Sequence, residues 1–382
     1  MALETLSPEL QLTHPHSVWI EVQLSRILNN LERVREKAGL DTRVMAVVKA
    51  NAYGHGLAAV SKALEGRVDF FGVASLREAS LLRSEGISTP LLLFGRLLAD
   101  EIAPALEREA TLTVSGLEEA KVISETAVKL GHKARVHVKV DTGMGRLGIP
   151  YGRAFSEIVT MASLAGIELD GIYTHCPSAE KFPDFFTEKQ LSHFEKLGAD
   201  LRARGIQFRW RHAANSAGAI RFQSSFLNLV RPGIALYGIY PDSSFAEEIS
   251  LAPALSLKGR ITLLKSLAPG DSVGYGREFI ASNPTTIAVI PVGYAHGYPF
   301  HLSGKGEVLY RGKRFRIAGR VCMDSLMVDL GSSTLARVGD EVILLGAHGE
   351  EKIRAEELAS LAGTIPYEIV TRLEAGLPRI YR

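Results

Sequence analysis

From about Arg43 to Leu236 the chain alternates two hydrophobic patterns. Short apolar runs rich in β-branched and aromatic residues give way to longer stretches in which apolar positions recur every three or four residues. The first pattern reads as buried strand and the second as amphipathic helix, so their alternation predicts parallel strands joined by crossover helices. Eight runs qualify as strands: Val44–Val48, Phe70–Val73, Leu91–Phe94, Thr111–Val114, Val136–Val138, Ile172–Thr174, Phe208–Trp210 and Leu229–Val230. Eight is the number that closes a barrel. Helical spacing is kept by Leu24, Ile27, Leu28, Leu31 and Val34, and again by Leu117, Ala120, Ile123, Ala127 and Leu130.

A ninth run, Val18–Val22, competes for the same eight places and fits either the barrel or a second domain. After Tyr240–Ser244 the texture changes to short β runs separated by Gly, Pro and Asn: Leu255–Leu264, Thr286–Ile290, Glu307–Tyr310, Leu326–Asp329 and Glu341–Leu345. Short helices are expected near Glu356 and Tyr367. The predicted class is therefore α/β, with an N-terminal (β/α)8 TIM-like barrel over 14–244 and a C-terminal mostly β domain over 245–382, on which 17–22 are free to pack.

Composition narrows the function classes. At 382 residues the chain exceeds the size at which single cores stop growing, and 46% hydrophobic with 23% charged residues carries no signature of disorder. A net charge of +2 makes no electrostatic case for nucleic acid. No apolar run approaches the roughly 20 residues of a membrane helix, and MALETLSPELQL is too polar and acidic for a signal peptide. A cytoplasmic location is expected. The two cysteines, Cys176 and Cys322, lie far apart without paired spacing, so neither a disulfide framework nor a metal is expected.

The candidate chemistry sits just past the predicted strands. In AVVKANAYGHG, Lys49 ends an apolar strand and is followed by small residues; a partly desolvated amine there has a lowered pKa and suits an aldehyde cofactor or base chemistry. A lone lysine after a strand is also an ordinary surface residue, so the weight comes from recurrence. KVDTGMGRLG ends another strand in a glycine-rich turn holding Arg146, suited to docking a carboxylate. His175 follows Tyr173-Thr174, Asn215-Ser216 open a helix where a phosphate would meet hydroxyl and N–H groups, and Arg231 precedes Pro232-Gly233.

Together AVVKANAYGHG, KVDTGMGRLG, THCPSAE, HAANSAG, RPGIALYG, VGYG, IPVGYAHGYP, GRVCMD and PYE, in this order and spacing, resemble the bacterial alanine racemases, and the resemblance covers nearly the whole chain. It implies pyridoxal 5'-phosphate as cofactor, a small amino acid as substrate, and a head-to-tail homodimer with active sites shared between chains. The reaction it implies supplies D-alanine for peptidoglycan. By this resemblance Lys49 holds the cofactor covalently and, with Tyr275 from the partner chain, moves the α-proton. Tyr53, Asn215, Ser216, Gly233, Ile234 and Tyr367 resemble the phosphate side of the cofactor site. Arg231 resembles the arginine facing the ring nitrogen and His175 the imidazole beside it. Arg146 and the N–H of Met323 resemble the carboxylate-holding groups, with Lys139, Asp324 and Tyr294 in support; the lysine matching Lys139 is carbamylated in several members. The sequence departs from the family's GYADGYPR at His296 and Phe300; by the resemblance, loss of the arginine at Phe300 alters an entryway whose charged partners resemble Arg320 and Glu180, and the change at His296 has no explanation in the sequence. A broad-specificity amino-acid racemase and a non-catalytic cofactor-binding protein remain the alternatives.

Overall fold

The computed structural model describes residues 15–39 and 41–382; the polar N-terminal stretch and residue 14, the expected start of the barrel, lie outside them. By internal contacts the chain forms two compact units.

The larger unit comprises Gln23–Ala254, Ile365–Thr371 and Tyr381–Arg382. Its sheet runs in the order Leu229–Val230, Arg43–Val47, Phe70–Val73, Leu91–Leu93, Ala110–Val114, Ala134–Asp141, Ile167–Tyr173, Trp210–His212, with all neighbours parallel. These are the eight predicted strands, the seventh displaced by two residues to Trp210–His212, with Trp210 meeting Phe70 edge-on at 5.3 Å. No ladder joins the last strand to the first in this order. The seam is stitched by Asn228, whose side-chain oxygen accepts from Arg211 N at 2.7 Å while its own N–H donates to Arg211 O at 3.3 Å.

Apolar residues of the middle strands, among them Leu112, Val136, Val138 and Ile172, pack on Ile123, Ile158 and Leu197 of the surrounding helices. Burial on both faces explains why these strands read as continuous apolar runs. Helix starts are fixed by side chains: Ser75 accepts from Glu78 N, and Asp184 accepts from Phe186 N and Thr187 N. The barrel axis also holds polar groups, with Tyr173 stacked on His212 at 4.7 Å and hydrogen-bonded to Thr113 at 2.9 Å. Chain direction puts the carboxyl ends of all eight strands at one mouth, where barrel enzymes keep their chemistry.

The smaller unit comprises the described residues up to Val22, Leu255–Thr364 and Arg372–Ile380. Val18–Val22 pairs antiparallel with Leu255–Arg260, so the ninth candidate belongs to this unit's sheet. That sheet continues through Glu341–His348 and Glu307–Tyr310 to Lys313–Arg316. The predicted run Leu255–Leu264 is two strands: at Ile261 and Thr262 the chain passes from the first sheet to a second one, made of Leu263–Leu267, Thr285–Ile290 and Leu326–Asp329. Leu267, Ile287 and Met327 form the apolar side of that second sheet.

Candidate active site

Lys49 stands where the first barrel strand ends. The chain does not continue in an ordinary helix: Ala50, Asn51 and Ala52 have φ of 53°, 54° and 52°, and Tyr53 follows at 53°. Four non-glycine residues in succession are left-handed, at a cost of about 1–2 kcal/mol each. The turn persists because its amides are engaged. Ala50 N donates to Glu78 Oε1 at 2.7 Å, Ala52 N to Val48 O at 2.8 Å and Gly54 N to Ala50 O at 3.0 Å, while Leu57 N donates to Asn51 Oδ1 at 2.8 Å. The turn reverses the chain within one residue of Lys49 and brings Tyr53 back beside Tyr237, ring centroids 5.0 Å apart.

A cavity of about 480 Å³ opens at this mouth, lined by Lys49, Tyr53, Lys139, Arg146, His175, Asn215, Ser216, Arg231, Gly233, Ile234 and Tyr367 together with Tyr173 and Phe94. The barrel-side residues expected to hold cofactor and substrate therefore meet in one place, while Glu180, expected at the entryway, is not among the lining residues. Burial and the Arg146 guanidinium lower the Lys49 pKa, with Glu78 opposing. Lys139, almost fully buried, is lowered to about 8 by burial and by Arg146 and Arg231. Both amines thus become available in neutral form at a lower pH than an ordinary lysine does.

One wall is a cradle of neutral donors. Ser216 Oγ accepts from Gly233 N at 2.9 Å and Ala235 N at 3.3 Å, which occupies its lone pairs and leaves its O–H to donate elsewhere. A Cβ on Gly233 would come within 2.5 Å of Tyr53 Oη, so only glycine lets this backbone approach the phenol. Burial pushes the Tyr53 pKa up strongly and that of Tyr367 to about 12, so both remain protonated donors. Hydroxyls and amides without a lysine or arginine suit a phosphate that must be held but not neutralised. The residues fit a phosphorylated cofactor at this wall. Asn215 completes the turn by accepting from Gly218 N at 2.9 Å and donating to Cys176 O at 3.3 Å.

Arg231 also lines the cavity and donates to Thr174 O and Ala213 O at 2.9 Å, to His212 Nδ1 at 2.8 Å and, more loosely, to His175 Nδ1 at 3.4 Å. Burial lowers its pKa only to about 10, so it stays charged at neutral pH. Arginine has no acceptor, which makes His212 Nδ1 the acceptor and leaves the proton on Nε2. That proton faces His137 Nδ1 at 2.9 Å, and His137 Nε2 in turn approaches Asp170 Oδ2 at 3.5 Å. His175 is held well below 6.5 by burial and by the surrounding Arg231, Lys139, Arg146 and Lys49, and is neutral. Arg146 rides on the glycine-rich turn, which Asp141 closes by accepting from Gly143, Met144 and Gly145 N at 2.8–3.2 Å.

The remaining four expected residues, Tyr275, Tyr294, Met323 and Asp324, belong to the smaller unit. Tyr294 N donates to Cys322 O and Ala295 N to Met323 O, both at 3.0 Å, so the turn at Tyr294 is fastened to the turn carrying Met323 and Asp324. Tyr275 begins a short turn whose Gly276 packs on Arg320, and Arg320 is paired to Glu278. Tyr275 is 71% and Met323 54% exposed. The two departures from the family pattern have local explanations: His296 Nδ1 accepts from Gly293 N at 3.1 Å, capping the turn, and Phe300 packs edge-on against Tyr294. Sequence reading missed Glu78, His137 and Asp170. Only Glu78 left a signal, the Ser75-x-x-Glu78 pattern of a helix start.

An amine, a buried arginine and a cradle of neutral donors stand together at the carboxyl mouth of a (β/α)8 barrel, where barrel enzymes keep their active sites. Two family models match the chain: "Alanine racemase, N-terminal domain" matches residues 22–241 and "Alanine racemase, C-terminal domain" matches 254–381. The chain is 43% identical to alanine racemase from Desulforamulus reducens, over 95% of this chain and 98% of that protein. It is equally similar, at 43%, to that of Methanococcus maripaludis, over 96% and 99%. The solved alanine racemase of Clostridium difficile 630 superposes with a TM-score of 0.92 at 35% identity, covering 97% of each chain. That of Bacillus anthracis with bound L-Ala-P gives 0.89 at 36%, covering 97% and 96%. The chain belongs to the alanine racemase family.

Proposed function

We propose that this chain interconverts L- and D-alanine, with pyridoxal 5'-phosphate at the barrel mouth, as a cytoplasmic homodimer supplying D-alanine for peptidoglycan. The observation that carries the reading is the desolvated amine of Lys49 sharing one cavity with the Tyr53–Ser216–Gly233 cradle and Arg231. When bound, the cofactor supplies an electron sink for the pair left behind as the α-proton departs. Lys49 Nζ takes or returns that proton on one face of the substrate, and Tyr275 Oη of a second copy does so on the other. Arg146 docks the substrate carboxylate, with the Met323 N–H beside it. Arg231 keeps its own proton at neutral pH, so it offers donors to the ring nitrogen without protonating it. The relatives described above are alanine racemases by name, which gives no support to the broader or non-catalytic alternatives.

The test is a visible absorbance scan of the purified protein followed by chiral analysis of incubated L-alanine. A bound chromophore and approach to equal L and D are expected. A colourless protein that leaves L-alanine unchanged, after addition of the cofactor, would overturn the reading.

A further inference from the structure

We propose that Glu78 is a positioning residue for Lys49, acting as a carboxylate clamp that holds the left-handed turn behind it; the catalytic part of this rests on the role given to Lys49 above. Glu78 is half-buried and starts the helix after the second barrel strand. Its two oxygens do different work: Oε1 accepts from Ala50 N and Oε2 from Ala74 N, both at 2.7 Å. Ala50 directly follows Lys49 and Ala74 follows the second strand, and both line the cavity. One side chain thus ties the exits of two adjacent strands together at the point where the backbone is left-handed.

The chemistry is selective. Two converging N–H groups need two acceptors on one planar group, and among side chains of this length only a carboxylate has them. Glutamine keeps one acceptor and turns its NH2 against the other N–H, so it should fail as fully as alanine. Aspartate keeps the charge and both acceptors but is one methylene shorter and cannot span the two amides. Glu78 also offsets burial and Arg146 at the Lys49 amine, and Lys139 and His175 feel the charge of the same amine.

The experiment compares Glu78→Gln, Glu78→Ala and Glu78→Asp with the parent holoenzyme, reading amide hydrogen exchange across residues 49–57, melting temperature, and kcat and KM for alanine. Expected for Gln and Ala alike is exchange in that segment faster by about tenfold, the size of one lost charge-assisted hydrogen bond. A fall in melting temperature of only about 2–4 °C and a kcat loss of similar size to the exchange change, at near-constant KM, should accompany it. Parent-like exchange in Glu78→Gln overturns the clamp. If the Gln and Ala variants do not fold, Glu78→Asp decides: loosened exchange supports the clamp and parent-like exchange overturns it. Faster exchange with unaltered kcat would overturn the catalytic half alone. The exchange reading stands even if the parent does not racemise alanine, so failure of the proposed function is separable.

Discussion

The barrel mouth and the loop cluster of the smaller unit carry reactive groups under opposite conditions. At the barrel mouth Arg231 is 4% exposed and donates four hydrogen bonds, Lys49 and Lys139 are desolvated, and Ser216 is held by the Gly233 and Ala235 amides. In the loop cluster the backbone is fastened just as firmly, but Tyr275, Met323 and Asp324 project into solvent. One region is built to perturb its groups by burial, and the other is built to present groups to something else. A tyrosine needs a changed environment to serve as a base near neutrality. In the proposed homodimer the barrel mouth of a second copy supplies it.

The sharpest way to break the contrast is Lys49→Ala, which should remove the visible absorbance of the lysine-bound cofactor and lower racemisation by at least about a thousandfold; retained absorbance would place the cofactor elsewhere. Next, Tyr275→Phe should slow α-proton removal from L-alanine by roughly a hundred- to ten-thousandfold with far less effect on D-alanine. Solvent-isotope exchange followed separately from each enantiomer reads this, and equal losses would refute bases on opposite faces. A third measurement uses Lys139. Its folded pKa is lowered to about 8, so the neutral amine accumulates as pH rises and is largely formed above that value. Labelling by cyanate should climb about tenfold per unit below pH 8 and then flatten, whereas an ordinary lysine keeps climbing toward about 10.4. At neutral pH the neutral fraction differs by roughly a hundredfold. The smallest effect is expected for Gly233→Ala, whose new methyl meets Tyr53 Oη. Overpacking of this kind should weaken cofactor retention by about ten- to a hundredfold, measured by dialysis against absorbance.

Much of the barrel is visible in the chain because strands buried on both faces must be apolar throughout, and a polar residue at the end of such a run has nowhere to go but the mouth. Lys49, His175, Ser216 and Arg231 stand out for that reason. The left-handed turn after Lys49 does not, since Ala-Asn-Ala-Tyr contains no glycine and its backbone is set by amide partners distant in sequence. Glu78 is masked by a simpler role: Ser75-x-x-Glu78 reads as a helix start, and Glu78 N does donate to Ser75 Oγ, yet its carboxylate reaches Ala50 and Ala74 instead. His137 and Asp170 lie within strands as ordinary alternating positions, and His137 meets His212 only through sheet pairing, across the one strand that lies between theirs. The exposure of Tyr275 is likewise a three-dimensional fact, because its Val-Gly-Tyr-Gly motif looks the same whether covered or open.

The file of imidazoles running from Arg231 down the barrel has an orientation that cannot be reversed piecemeal. Its head is a guanidinium that can only donate hydrogen bonds, so His212 and then His137 must each turn a lone pair toward it and an N–H away from it. Flipping one ring would set two donors or two lone pairs face to face in a dry interior. The barrel axis therefore behaves as a fixed electrical compass, its needle set by the guanidinium beside the cavity and pointing toward Asp170.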